Sequence, residues 1–220
     1  MYAADLQGHG KSAGVRGNVG RLGWAVDDVQ SLREMAIRDQ PDAPIFIMGR
    51  SLGALIALDY ATREKGQGLA GVALSGIALN TNQGRWPHRA MTAVIGAVAP
   101  NRAVSELGID LISGDLEVVR EFRADPLTYS GRLLARTRAE IQATTSRVLP
   151  RTKTLSMLPL LVIHGAQDRL IPAECSRLVY SECGVTDKTL KIYEGMQHEI
   201  FYERERDFVL NDLVAWLDER

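Results

Sequence analysis

Pro44-Ile45-Phe46-Ile47-Met48-Gly49-Arg50-Ser51-Leu52-Gly53-Ala54-Leu55-Ile56-Ala57-Leu58-Asp59-Tyr60 decides how the rest of the chain is read. Ile45 to Met48 is a short apolar run, suited to a strand buried on both faces of a parallel sheet. Leu52 to Leu58 are mostly strong helix formers. Only Gly49-Arg50-Ser51-Leu52-Gly53 separates the two, and it has the form G-x-S-x-G. A Ser between strand and helix sits in tight, strained backbone that small neighbours permit, with its hydroxyl turned outward as a candidate nucleophile. The helix behind it presents free amides and the positive end of its dipole, which makes the Leu52 amide a candidate oxyanion donor.

Gly10-Lys11-Ser12-Ala13-Gly14 fits the same pattern, but no long apolar strand precedes it and no helical pattern follows directly. Ser12 is therefore a decoy. Gly10-Lys11-Ser12 also resembles the tail of a phosphate-binding loop, whose spacing requires Gly where this chain has Asp5.

Working outward, Met1 to Ala4 reads as the end of a strand, followed by the Gly-rich turn Asp5 to Ser12. Val26, Val29, Leu32, Met35 and Ala36 recur at helical spacing within Trp24 to Arg38. Beyond the central stretch, Leu69 to Ser75 forms the next buried strand. Strands alternating with helices imply a parallel α/β sheet. From Gly76 to about Ser156 no convincing strand is visible, while Ala90 to Val98, Leu116 to Phe122 and Arg132 to Val148 read as helical, punctuated by Pro87, Pro100, Pro126 and Pro150. This block is expected to be a cap inserted above the sheet, so that residues 1–75 and 156–220 form the core and 76–155 the cap; the alternative is a helical layer that only packs. The sheet resumes at Leu160 to Ile163, followed by a helix from Ala173 to about Cys183, a strand from Thr189 to Tyr193 and a closing helix from Asp207 to Leu217.

With 220 residues, 45% apolar, the chain can bury a sizeable core. Its net charge of −1 argues against nucleic acid as a partner. The absence of a membrane-length apolar run or a basic-then-apolar start leads to the expectation of a soluble, cytoplasmic protein. Cys175 and Cys183, about 12 Å apart along one predicted helix, are expected to be free thiols. The histidines lack a pair at metal-ligand spacing, so neither metal nor organic cofactor is expected.

Ser51 ends one strand, Asp168 follows the next-to-last strand and His198 the last, which brings all three to the carboxyl edge of the sheet. Together with Asp5 to Ser12, Asp125-Pro126-Leu127, His164 to Asp168 and Lys191 to Gly195, this order resembles the monoacylglycerol lipase and lysophospholipase-like branch of the α/β-hydrolases. The resemblance runs almost from end to end. It implies an α/β-hydrolase-type parallel sheet with an inserted helical cap, Ser51 as nucleophile, His198 as general base and then acid, and Asp168 as the group that orients the imidazole. The competing readings are a helix N-cap for Ser51, a surface-loop residue for His198, and Glu174 or Asp187 in place of Asp168. His9 and His164 occupy turns found in the family and read as structural, while His88 opens the cap.

Two departures stand out. Arg50 precedes the nucleophile where many relatives carry His, and its charge either lies near the site or points into solvent. The resemblance also begins at the family's fourth strand, so the chain reads as N-terminally truncated, without the loop that supplies a second oxyanion amide. Met1 to Ala4 then moves beside the elbow strand, leaves the sheet or pairs with another chain. Amides of the Gly8-His9-Gly10 turn are candidates for the missing donor, and the exposed edge favours a homodimer.

The expected activity is hydrolysis of lipophilic carboxylic esters such as monoacylglycerols, with Met91, Val94, Ile95, Leu133 and Leu134 lining an acyl site and the cap touching membrane or micelle transiently. The alternatives are a non-catalytic remnant or fragment that needs a partner chain, and an amidase or thioesterase using the same three residues.

Overall fold

Gly71–Ser75 (β2) and Leu160–Gly165 (β5) are buried along their whole length, and the rest of the core is assembled around them. Phe46–Arg50 (β1) pairs with β2, β2 with β5, and β5 with Lys188–Tyr193 (β6), all in parallel, giving the order β1-β2-β5-β6. The computed structural model describes residues 1–64, 66–80 and 86–220, the Trp86 side chain excepted. Residues 81–85 of the expected cap therefore lie outside the described residues.

Alternation along the strands sends Val72, Leu74, Leu160 and Val162 to one face and Ala73, Leu161 and Ile163 to the other. The first face is covered by Leu22–Asp39 (α1), Leu52–Arg63 (α2) and Glu174–Glu182 (α6), the second by Arg206–Asp218 (α7) through Val209 and Trp216. From Ala54 to Thr62 every residue of α2 is buried, because the helix lies beneath both α1 and Ala135–Thr152 (α5) as well as the sheet. Burying a Leu side chain such as Leu55 or Leu58 contributes about 1.5–3 kcal/mol. Asp59 of α2 is buried in the same layer and pairs with Arg147 of α5 at 2.6 Å and with Arg63 at 3.5 Å. α2 is thereby pinned to the block that follows β2.

That block departs from the expectation of helices alone. Trp86–Val98 (α3), Leu116–Ala124 (α4) and α5 are helical, but Ala103–Glu106 (β3) and Arg132–Leu134 (β4) pair as a small antiparallel sheet, and Ile109–Leu111 forms a 3-10 turn. Arg132 to Leu134 therefore belongs to a strand and not to the helix behind it. α5 also runs to Thr152 with Pro150 inside, where the proline was expected to mark its end. Met1 to Ala4 forms no strand and is exposed, and among the described residues β1 pairs with β2 alone. Both cysteines are buried.

Candidate active site

Ser51 stands at φ 52°, ψ −117°, the one non-glycine residue at positive φ among the described residues. Such backbone costs about 1–3 kcal/mol and persists only where its surroundings impose it. Here its amide donates to the Ser75 carbonyl at 2.8 Å, and its own carbonyl accepts from Ala54 at 3.1 Å, Leu55 at 3.3 Å and Ala78 at 3.2 Å. The hydroxyl does not cap α2. The two glycines of the turn differ: a Cβ on Gly49 would sit 2.2 Å from the Gly53 carbonyl oxygen, whereas one on Gly53 would meet nothing within 4 Å. Leu52 opens α2, and its amide lies ahead of the first carbonyl an α-helix can offer.

Asp168 lies just past β5 with its side chain fully buried. Its Oδ1 accepts from the amides of Leu170 and Ile171, both at 2.8 Å, and its Oδ2 accepts from His198 Nδ1 at 2.6 Å and His164 Nε2 at 2.9 Å. Burial alone would raise its pKa. The hydrogen bonds from His164, His198 and Ile171 outweigh burial and hold the carboxyl well below the usual carboxylate range. Because a carboxylate only accepts, Nδ1 of His198 carries the proton, and Nε2 is the ring nitrogen left to act as a base.

His164, expected to be structural, proves to be the support of Asp168. Its Nε2 faces two acceptors, Asp168 and the Ile171 carbonyl at 2.9 Å, so it donates there, while Nδ1 accepts from Ser176 Oγ at 2.7 Å. The i, i+4 spacing of His164 and Asp168 is visible in sequence, but it straddles a strand end and a turn, where that spacing signals no contact.

The loop after β6 carries His198 back over the sheet. The ring packs on Gly76, where an added Cβ would lie 3.1 Å from His198 Cε1. Ser51 and His198 thus meet at the same end of β2, one bonded to Ser75 and the other packed on Gly76, with no hydrogen bond between them among the described residues. Of the rival acids, Glu174 is exposed and Asp187 pairs with Arg220 at 2.6 Å. Ser12 lies in a turn, its hydroxyl bonded to the Asp5 carbonyl at 2.8 Å, and His88 is exposed.

Arg50 is half-buried and is not a free charge beside Ser51: it forms an ion pair with the buried carboxylate of Glu199, and burial lowers its pKa. The turn at Gly8-His9-Gly10 cannot supply the second oxyanion donor, because its three amides are already engaged. They donate to Ala13, Leu6 and Leu127 carbonyls at 2.9, 2.9 and 3.2 Å. Met91 and Val94, expected at an acyl site, lie exposed on the outer side of α3. α3 packs its small residues inward, with Gly96 so close to α5 that a Cβ there would lie 2.6 Å from the Ala139 Cβ. Ile95 and Leu133 are half-buried, and Leu134 is buried where β4 meets α5.

Residues 1–205 match the family described as Serine aminopeptidase, S33. Monoacylglycerol lipase of Mycolicibacterium smegmatis is 38% identical over 99% of this chain and 77% of its own length. Human monoglyceride lipase is 28% identical over the whole of this chain and 73% of its own length. The crystal structure of Paleococcus ferrophilus monoacylglycerol lipase superposes with a TM-score of 0.83 at 28% identity, covering 97% of this chain and 80% of that one. The chain belongs to the Serine aminopeptidase, S33 family and is an α/β-hydrolase of its monoacylglycerol lipase-like kind.

Proposed function

We propose that the protein is a serine hydrolase of lipophilic carboxylic esters, monoacylglycerols or close analogues, acting through an acyl-enzyme on Ser51. The observation that carries this reading is the buried Asp168–His198 pair, 2.6 Å apart, at the sheet edge where Ser51 is held in strained backbone. His198 Nε2 removes the Ser51 proton as Oγ attacks the ester carbonyl. The tetrahedral oxyanion is stabilised by the Leu52 amide and the N-terminus of α2. As the intermediate collapses, the ester C–O bond breaks and the imidazolium protonates the departing alcohol. Water, deprotonated by the same nitrogen, then releases the fatty acid and frees Ser51. Asp168 keeps Nδ1 protonated and balances the imidazolium charge.

The substrate class draws on the monoacylglycerol lipases among the relatives and on α3, whose exposed Met91, Val94 and Val98 suit contact with a lipid surface. In this reading residues 76–155 are a cap over the core of 1–75 and 156–220. The occupied amides of the Gly8-His9-Gly10 turn favour the contrasting reading, a non-catalytic chain that needs a partner, since they leave Leu52 without a companion donor there. Hydrolysis of p-nitrophenyl esters of increasing acyl length separates the two. The Ser51→Ala variant is expected to lose about 10³-fold or more in turnover. Equal background rates from both proteins would reject the enzyme.

A further inference from the structure

Arg50 directly precedes Ser51, and Glu199 directly follows His198. Their side chains meet in an ion pair whose facing atoms, Nη1 and Oε2, are sealed from solvent. Each is thus covalently next to one of the two residues that must exchange a proton in the mechanism above, on which this inference rests.

The sheet order gives that contact a task. β1 holds the nucleophile turn and β6 holds the histidine loop, with β2 and β5 between them. Three strand spacings separate the two strand ends by about 14 Å. The histidine loop is otherwise secured away from β1. Gln167 donates its amide to Met196 at 2.9 Å, Glu199 donates its amide to Ile112 at 2.8 Å, and Glu203 accepts from Gly114 at 3.2 Å and Gln197 at 3.3 Å. Among the described residues, no other ion pair or side-chain hydrogen bond joins residues 194–205 to residues 49–53. The charges demand the same pairing. Glu199 is 3% exposed, and a carboxylate buried to that extent needs a cation in contact.

We propose that Arg50 and Glu199 are a positioning pair: their ion pair fixes the nucleophile turn against the histidine loop and thereby sets the approach of Ser51 to His198. The charge beside the nucleophile is consumed in holding the site together and is not offered to substrate.

Removing one partner strands a buried charge and risks misfolding, so the decisive variant removes both. Arg50→Met/Glu199→Met is expected to fold with a melting temperature at or above that of the wild type, since apolar replacement of a buried pair is tolerated. Its kcat should fall by about 10- to 100-fold with KM within about twofold, because displacement of the reacting groups costs rate more than binding. Labelling of Ser51 by a fluorophosphonate should slow in parallel. Arg50→Lys, which keeps the pair, should retain most of the wild-type kcat. Hydrogen exchange at the Gln197 amide, which lies in the histidine loop and donates to Glu203, reads the tether without turnover and should quicken in the doubly substituted variant. Wild-type kcat, labelling and exchange in that variant would overturn the inference. If Ser51→Ala hydrolyses as fast as wild type, the mechanism itself fails, and exchange alone then decides whether the pair holds the loop.

Discussion

At the scale of single residues, Asp168 shows how much one side chain is asked to do. Its buried carboxylate accepts four hydrogen bonds, and its pKa is depressed by those partners in spite of burial. A depressed carboxyl adds stability in full above its unfolded value near pH 4, and that stability fades as pH falls toward the native value. Asp168→Asn should therefore cost about 1.5–3 kcal/mol at pH 7, the range for hydrogen bonds to a charged group. In urea titrations the gap to wild type should narrow below about pH 4. A gap that stays constant with pH would show that the carboxylate charge is not what the site holds. Turnover of the same variant should drop about 10⁴-fold, because Asn no longer selects the Nδ1–H tautomer. Ser51, Asp168 and His198 were legible as candidates because each follows a strand end in a local pattern that brings it to the carboxyl edge of the sheet. Arg50–Glu199 and His164–Asp168 were not legible in the same way. Which partner a buried charge or imidazole selects depends on chain segments folded together from far apart, and nothing in residues 49–53 names Glu199.

At the scale of elements, α1, α2, β2, β5, β6 and α7 could be read from periodicity and apolar runs, since each buries a face long enough to leave a pattern. β3 and β4 could not. They are four and three residues long, are paired across the intervening segment, and Arg132-Leu133-Leu134 carries the composition of the helix it precedes. α3 shows a different limit: its apolar pattern was clear, but not which side would face inward. Gly96 permits close packing on α5, so the larger Met91, Val94 and Val98 turn outward, 54%, 58% and 76% exposed. Transferring each partly exposed side chain to lipid gains about 1 kcal/mol. Replacing all three by Ser should weaken binding to phospholipid vesicles by about 10- to 100-fold. Hydrolysis of a soluble short-chain ester should be unchanged. Loss of both together would indicate that α3 shapes the site itself, and retention of vesicle binding would remove the stripe from the lipid contact.

At the scale of the whole molecule, the open side of β1 is the feature with the largest consequence. Among the described residues Phe46 to Arg50 pair with β2 alone, Met48 is 46% exposed, and Met1 to Ala4 do not form a neighbouring strand. An unpaired strand edge with an apolar side chain is a template for another strand, and a second copy of β1 offers the same row of donors and acceptors by two-fold symmetry. We propose that two copies pair along β1. Light scattering at micromolar concentration should then report a dimer, and Met48→Lys, which places a desolvation cost on the paired edge, should shift it toward monomer with little change in thermal stability. A single monomeric species for the unsubstituted chain would reject edge pairing. Because Arg50 closes β1 and Ser51 follows it, edge pairing also has a catalytic reading. If the dimer forms, kcat should rise with protein concentration over the range where the monomer disappears, since bracing β1 from outside restrains the nucleophile turn that Glu199 holds from within.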